Sequence, residues 1–259
     1  MKRMYWLLNL FLISAFILAA CGGSAPQTQE APSGGAPPTA AANVPEKTSP
    51  PPTKAANVPE KTQPVPVNSS VIDPKSLTSV LDKYVLRPDD LPNEYRVPSG
   101  GEHHVSNLGV IQELGEVQGK RYIIATGRVD GWDLQLERKK KEDVAPGTIQ
   151  SSIDVFESSS GAQLAISPEW FKAYKDEANP AKWVESGCSI GDHCLFYYYE
   201  KVDPATNLTT LQYDVAFVYK NVMVWVMGRG LDFDVDPNYV LNAAKTEFNK
   251  LEQASQASS

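Results

Sequence analysis

An abrupt change in composition near residue 70 limits which part of this chain can fold. Between Gly22 and Ser70 the sequence consists mainly of Pro, Ala, Thr, Ser, Gly and Gln, and it contains no aromatic residue. Such a segment cannot bury enough apolar surface to offset the entropy lost on ordering. We therefore expect a disordered linker there, and a single folded domain within residues 71–252, which is the size of one ordinary domain.

The linker contains one stretch of sequence twice. Residues 37–48 recur as residues 51–62, and the two copies differ only where Ala40 is replaced by Lys54. A period of 14 residues is too short for a solenoid repeat, and the stretch carries nothing that could form a core. Two interpretations remain open: slippage during evolution of a linker, or a binding motif presented twice.

The first 21 residues have the organisation of an export signal. Lys2 and Arg3 precede an apolar run from residue 4 to residue 20, which ends in Leu-Ala-Ala before Cys21. This pattern resembles a bacterial lipobox, which implies that residues 1–20 are a cleaved signal peptide and that Cys21 carries fatty acyl chains such as palmitate. The implied location is the outer face of the cell membrane, or the outer membrane. The alternative is an uncleaved membrane anchor, since about 17 residues is near the lower limit for a hydrocarbon core of about 30 Å.

The two remaining cysteines, Cys188 and Cys194, predict a disulfide in an exported chain. The loop between them is short, so the entropic stabilisation is expected to be modest, roughly 2–3 kcal/mol. A zinc site made from this pair and His193 would lack a fourth ligand and a usual spacing.

The formal net charge of −7 argues against nucleic acid as a partner. The one dense basic run, residues 138–141, is followed at once by Glu142 and Asp143, which is typical of a solvated surface segment. We expect no cofactor, and we expect a monomer.

The pattern of apolar residues predicts an α+β fold with a mostly antiparallel sheet and helices packed on it. Helices are expected after Asp73, from residue 107 to 118, near Ala162, and after Asp236 up to about Glu252, with a disordered tail at residues 253–259. In the second helix, the predicted buried face consists of Leu108, Ile111, Leu114 and Val117. Strands are expected at 121–126, 130–137, 148–156, 195–200, 209–219 and 222–227, the last of them central in the sheet.

Four short segments carry a resemblance to a known group of domains. They are residues 87–95 (RPDDLPNEY), residues 153–158 (IDVFES) before a helix, Gly191-Asp192 before a strand, and residues 218–222 (VYKNV) between two strands. Their order resembles that of bacterial extracytoplasmic sensor-type domains, such as the PknH C-terminal domain and LpqN-like lipoproteins, which are similar in shape to the PsbP and Mog1 folds. The resemblance implies a binding or sensing role and supplies no catalytic residue.

Aromatic residues in the predicted sheet are the candidates for ligand binding. Most of them should be core residues, but an outward-facing minority could line a cleft or a protein contact. The candidates are Trp132, Tyr197, Tyr199 and Tyr213.

Patterns for metal binding and catalysis are weak. His103 and His104 are adjacent, so a strand would point them to opposite faces. The run Asp232, Asp234, Asp236 lacks the glycine and the glutamate of a calcium-binding loop. No nucleophile elbow or phosphate-binding loop is present in the sequence.

The sequence thus predicts a lipid-anchored, non-catalytic domain that binds an unknown ligand or protein of the cell envelope. The first alternative is an accessory subunit of an envelope complex, which would show a large exposed apolar patch. The second is an envelope hydrolase that uses two carboxylates, for instance among Glu137, Asp154 and Asp214, which would need two of them roughly 5–10 Å apart.

Overall fold

The computed structural model describes residues 71–140, 144–177 and 179–257. The predicted signal peptide, Cys21 and the linker lie outside these residues. None of the described helices combines the length and apolar character needed to cross a membrane.

The described chain alternates helices and strands and is α+β, as predicted. The helices are α1 (Pro74–Thr78), α2 (Asn107–Leu114), α3 (Glu116–Thr126), α4 (Ser159–Ala165) and α5 (Pro237–Ala257), with 3-10 turns at Leu81–Lys83, Pro88–Asp90 and Lys172–Tyr174. The strands are β1 (Tyr95–Arg96), β2 (Glu102–His104), β3 (Arg128–Arg138), β4 (Thr148–Phe156), β5 (Lys182–Trp183), β6 (His193–Val202), β7 (Thr209–Tyr219) and β8 (Val222–Leu231).

All eight strands form one antiparallel sheet in the order β1-β3-β4-β8-β7-β6-β5, with β2 also paired to β3. Strand β8 lies at the centre of this order, which confirms the prediction for the last strand. Its Val222, Val224 and Val226 belong to one core cluster, while Met223 and Trp225 pack against another.

The two clusters lie on opposite faces of the sheet because successive strand residues alternate between faces. On the first, which we call the α5 face, the strands pack against α5 and the segment from Leu77 to Tyr95. On the second, the α4 face, Phe156, Ala216 and Val218 pack against residues of α4 such as Ala162.

The structure corrects the prediction for residues 107–126. Gly115 has φ +84° and separates α2 from α3, so there is no single helix to residue 118, and residues 121–126 are helical instead of a strand. The predicted apolar face is also wrong, because Leu108 and Val117 are 63% and 76% exposed whereas Val110 is buried. Gly119 lets the helices approach closely, since a Cβ there would lie 2.6 Å from the Cα of Ile111.

The closing helix is longer than predicted. It continues to Ala257, where a disordered tail was expected from residue 253. Ser255 is buried, and its hydroxyl contacts the ammonium of Lys220 in the turn between β7 and β8. This contact holds the last helical turn against the sheet, which the local sequence does not reveal.

The cysteine pair is joined as predicted: Cys188 and Cys194 form a disulfide with their Cα atoms 5.7 Å apart. Within the loop, Gly191 has φ +65°, and a Cβ there would lie 2.2 Å from the carbonyl oxygen of Val218. The neighbouring Asp192 accepts a hydrogen bond from the backbone N–H of Lys220 at 2.7 Å. The disulfide loop is therefore fastened to the β7–β8 turn.

Candidate functional site: the aromatic half of the α4 face

The α4 face of the sheet has two halves of different chemistry. Near the β7–β8 turn, the apolar residues described above are covered by α4. Toward the other end of the same strands, the face carries carboxyl, amide, hydroxyl and phenol groups. The polar groups come from four strands and form a band that crosses β8, whose Trp225 and Met227 lie between β4 and β7. The members are Asp133 of β3, Gln150 and Ser152 of β4, Gln212 and Asp214 of β7, and Tyr197 and Tyr199 of β6.

Asp214 is the most deeply buried group of this band, with 0% of the residue exposed. It lies directly opposite Tyr197 in the β6–β7 register. The Gln212 amide donates to both of its oxygens, at 3.2 and 3.0 Å, and the indole of Trp225 is a further hydrogen-bond partner. Burial raises the pKa of Asp214 to about 7, because these neutral donors offset only part of the lost hydration. The carboxyl can therefore gain or lose a proton near neutral pH.

Four aromatic rings connect Asp214 to the surface. Consecutive ring centroids lie 5.0 Å apart for Tyr174 and Trp183, 5.6 Å for Trp183 and Tyr197, and 5.7 Å for Tyr197 and Tyr199. Trp183 is 45% exposed, whereas Tyr197 is 3% exposed. Burial also raises the pKa of the Tyr199 phenol to about 12, and the nearby carboxyl of Asp214 adds to this shift. We call Tyr174, Trp183, Tyr197 and Tyr199 the aromatic series.

A second buried carboxyl, Asp133, lies at the β3 end of the band. It accepts from the Gln150 amide at 3.0 Å on each oxygen and from the Ser152 hydroxyl at 2.7 Å. The Nε2 atom of His103 is 3.8 Å from its Oδ2 atom. Burial raises the pKa of Asp133, while the two hydrogen-bonding side chains act in the opposite direction.

The carboxyls named as possible hydrolase residues do not form a pair. Asp154 binds the buried guanidinium of Arg128 at 2.6 Å, and Glu137 lies 3.3 Å from Arg96. Asp214 lies on β7, which is two strands from β4 and three strands from β3. At about 4.8 Å per strand spacing, Asp214 and Glu137 are about 14 Å apart across the sheet. Asp154 lies opposite Met223 of β8 and Asp214 opposite Met227, so these two are also offset by four residues, about 13 Å, along the strands. Both separations exceed the roughly 5–10 Å of two-carboxylate glycosidases.

The structure brings together two of the four aromatic candidates. Tyr197 and Tyr199 belong to the aromatic series, but Trp132 and Tyr213 lie on the α5 face, where both pack against its core. The Trp132 indole donates to Glu102 at 3.1 Å, and the Tyr213 ring lies 5.4 Å from that of Tyr198.

Sequence reasoning missed Tyr174 and Trp183 as members of this site. Both are close to the irregular segment between α4 and β6, where no periodicity assigns a residue to a face. The only feature of the sequence that could have indicated them is that each is an aromatic residue in a largely polar, Pro-containing segment, which is weak evidence for a binding site.

The histidine pair and the aspartate run make ion pairs and hydrogen bonds with nearby residues of the domain. His103 and His104 point to opposite faces, toward Asp133 and Asp130 respectively, with 2.5 Å between His104 Nε2 and Asp130 Oδ1. Asp234 lies 3.3 Å from Arg138, and Asp236 accepts from the N–H of Asn238 at the start of α5. Within the described ranges, no group of three or more His, Cys, Asp and Glu side chains is placed to hold a metal ion.

Comparison with known proteins gives a distant structural similarity. No family model and no curated protein matches the chain. Among solved structures, the chain is similar to the extracellular domain of PknH from Mycobacterium tuberculosis, with 11% sequence identity and a TM-score of 0.38. The matched region covers 67% of this chain and 95% of that domain.

Proposed function

We propose that this chain is a lipid-anchored, extracytoplasmic protein whose folded domain binds a ligand of the cell envelope without catalysing a reaction on it. The aromatic series is the observation that carries the binding role. Exposed aromatic rings beside a few fixed polar groups are typical of sites that recognise small molecules. The anchoring part rests on the leader pattern before Cys21 and on the disulfide, which suits an oxidising compartment.

The ligand would have a flat apolar or ring-shaped face and at least one polar group. Trp183 and Tyr174, at 45% and 41% exposure, offer ring surface for stacking. Gln212 is partly exposed and holds the buried Asp214, so a polar group of the ligand would meet the amide first. The protonation state of Asp214 would then set the orientation of the amide that the ligand meets.

The separation of the carboxyls favours binding over hydrolysis. Each of Glu137 and Asp154 already has a cationic partner, and the hydrogen-bond donors to Asp214 are the neutral side chains of Gln212 and Trp225, with the charge of Lys172 acting from a greater distance. A two-carboxylate mechanism needs an acid and a base on either side of one bond, and these three residues do not supply that arrangement.

One observation favours an accessory subunit as the second candidate. The α2–α3 pair exposes Leu108, Val117 and Ile124 at 63%, 76% and 82%. Exposed apolar side chains grouped on adjacent helices are typical of protein contacts.

The test uses the full-length protein isolated from the membranes of cells that produce it. Intact mass under denaturing conditions should show cleavage before Cys21 and added acyl chains. Native mass spectrometry of the same sample should show a bound small molecule. Trp183→Ala should remove that adduct, whereas Phe233→Ala, which removes another exposed aromatic ring, should retain it.

Two results would contradict the proposal separately. An unmodified Cys21 with the leader still attached would refute the lipid anchor. An adduct that is absent from the wild-type protein, or equally abundant in both variants, would refute binding by the aromatic series; co-isolation of a stoichiometric protein would then favour the accessory subunit.

A further inference from the structure

A second group of side chains lies where α3 meets the segment that follows α4. The Trp170 backbone N–H donates to the carbonyl of Ser167 at 3.1 Å, which folds the chain back after the helix. The Trp170 ring lies 5.7 Å from the ring of Tyr122 on α3 in an edge-on arrangement. Trp170 is therefore fixed between two elements, and it is separate from the aromatic series.

Two cationic side chains approach the ring of Trp170. The guanidinium carbon of Arg121 is 5.7 Å from the ring centroid, and the ammonium nitrogen of Lys175 is 5.4 Å from it. Both residues are exposed, and no ion pair in the described part of the chain involves either of them. The interaction with the ring orients these charges and does not neutralise them.

Two side chains of the turn from Ser167 to Trp170 have a polar atom without a hydrogen-bond partner. Within the described residues, the Oγ atom of Ser167 and the Nε1 atom of Trp170 are buried and make no hydrogen bond. Nearly all buried polar groups in proteins are paired, so each exception calls for an explanation. The two residues are three apart in one turn, and the ring of Trp170 lies beside two cations that make no ion pair in the described part of the chain.

All four of these groups can donate hydrogen bonds, and two of them carry positive charge. An indole N–H, a guanidinium and an ammonium can only donate hydrogen bonds, and a serine hydroxyl can donate as well. The carboxylates nearest in sequence do not fill the site: no hydrogen bond in the described residues joins Glu169 to either cation, and Asp176 accepts from the backbone N–H of Asn179. What is missing is an acceptor that carries negative charge.

We propose that this group, the Trp170 cluster, is a binding site for a phosphate group; it consists of Arg121, Ser167, Trp170 and Lys175. A phosphate offers several acceptor oxygens and negative charge, and guanidinium and ammonium groups are its usual partners in proteins. The side chains of Arg121 and Lys175 are exposed and lie 5.7 and 5.4 Å from the ring centroid, where both charges can reach the same bound group. The phosphate could belong to a soluble molecule or to the headgroup of an anionic lipid, since the recognised group is the same.

The experiment follows the indole N–H of Trp170 by NMR in the full-length protein, labelled with ¹⁵N and held in nonionic detergent micelles. The resonance is identified by its loss in Trp170→Phe. In one arm, inorganic phosphate is added. In the other, the micelles are doped with phosphatidylglycerol or, as the neutral comparison, with phosphatidylcholine. We expect a saturable downfield shift, because the N–H gains an acceptor.

Variants that remove one charge test whether the change in the Trp170 indole chemical shift arises from binding at the Trp170 cluster. Arg121→Gln and Lys175→Gln should each weaken the apparent affinity about tenfold, the loss of one charge-assisted hydrogen bond. Lys120→Gln is the matched control, because it removes the same charge from the neighbouring position, where Lys120 pairs with Glu116 at 2.7 Å. Its affinity should stay within about twofold of the wild type.

The possible outcomes distinguish a soluble phosphate from a lipid headgroup, and both of these from the absence of a phosphate site. A saturable shift with inorganic phosphate identifies a soluble phosphate as sufficient, and a shift with phosphatidylglycerol alone identifies a lipid headgroup; both support the site. No saturable shift in either arm would overturn the proposal. An equal loss of affinity in Lys120→Gln and Arg121→Gln would also overturn it, since binding would then reflect general surface charge.

Discussion

At the scale of single residues, the acids that face the interior of this domain differ in how their charge is balanced. Asp154 is partly exposed and faces the guanidinium of Arg128, which donates to it at 2.6 and 2.9 Å. Asp214 and Glu247 are fully buried, and their hydrogen-bond donors are neutral side chains. A buried carboxyl with neutral partners favours its protonated form, so these two acids make the stability of the domain depend on pH.

Glu247 gives the clearest case. It projects from α5 into the core, where its Oε2 atom accepts from the Ser151 hydroxyl at 2.7 Å and its Oε1 atom has no partner among the described residues. Burial is the main cause that raises its pKa from 4.5 to about 8; Ser151 and Lys250 lower the pKa, whereas Asp90 raises it further. Between about pH 4.5 and pH 8, Glu247 is therefore protonated in the folded protein and ionised in the unfolded chain. The contribution of Glu247 to stability is fully present below that window and is lost as the pH rises through it.

We predict that Glu247→Gln removes this dependence. The variant should match the wild type near pH 4, below that window, and exceed its unfolding free energy by about 1–3 kcal/mol near pH 8, since one pKa unit corresponds to about 1.4 kcal/mol. Urea unfolding at a series of pH values measures the difference. Glu252→Gln, a less buried position on the same helix, should keep the wild-type profile; a wild-type profile in Glu247→Gln would refute the assignment.

At the scale of elements, the turn between β7 and β8 joins the start of the domain to its sheet. Asn221 is fully buried in that turn. Its amide oxygen accepts from the backbone N–H of Ile72 at 2.9 Å, and its amide nitrogen donates to the carbonyls of Ile72 and Phe156 at 3.0 and 2.8 Å. The Asn221 side chain thus makes hydrogen bonds to the backbone of Ile72 like those that a neighbouring strand would make.

We predict that Asn221→Ala detaches this first segment. Three backbone groups would lose their partner, the buried carbonyl of Phe156 and the partly buried N–H and carbonyl of Ile72, which should lower the unfolding free energy by about 2–4 kcal/mol. Hydrogen exchange at the Ile72 amide should accelerate more than exchange in the centre of β8. Asn238→Ala, an exposed position at the start of α5, should change stability by less than about 0.5 kcal/mol. Unchanged exchange at Ile72 in Asn221→Ala would contradict the prediction.

At the scale of the whole molecule, two cores of unequal size stabilise one sheet. The larger core on the α5 face and the smaller core on the α4 face consist of buried residues between Leu77 and Leu251. Because residues 22–70 contain no aromatic residue and little else that could add to a core, we expect the stability of the domain to be independent of the length of that segment.

We predict that deletion of residues 49–62, one period of the repeat, leaves folding unchanged. The unfolding free energy of the full-length protein should stay within about 0.5 kcal/mol of the wild type, as expected for a change away from packed groups. Urea unfolding followed by tryptophan fluorescence measures it. A loss above about 1 kcal/mol would show that the repeat packs on the domain.

The pattern of the sequence was sufficient to predict much of the sheet. Strand β4 begins and ends at the predicted residues, 148 and 156, because its polar and apolar residues alternate, as they do in a strand with one side against a core. The N-caps Asp73 and Asp236 and the pairing of Cys188 with Cys194 were also predicted, since each depends on residue type and local spacing.

The conformation of residues 116–126 and the composition of the candidate site were decided by tertiary contacts. Ile123 and Ile124 favour a strand locally, yet they are helical because Gly119 lets α3 pack closely on α2 and Tyr122 packs in the core of the α4 face. Trp183 and Tyr197 became neighbours through the pairing of β5 with β6. Local periodicity reports which side of an element is apolar, but it carries no information about which distant element will cover that side.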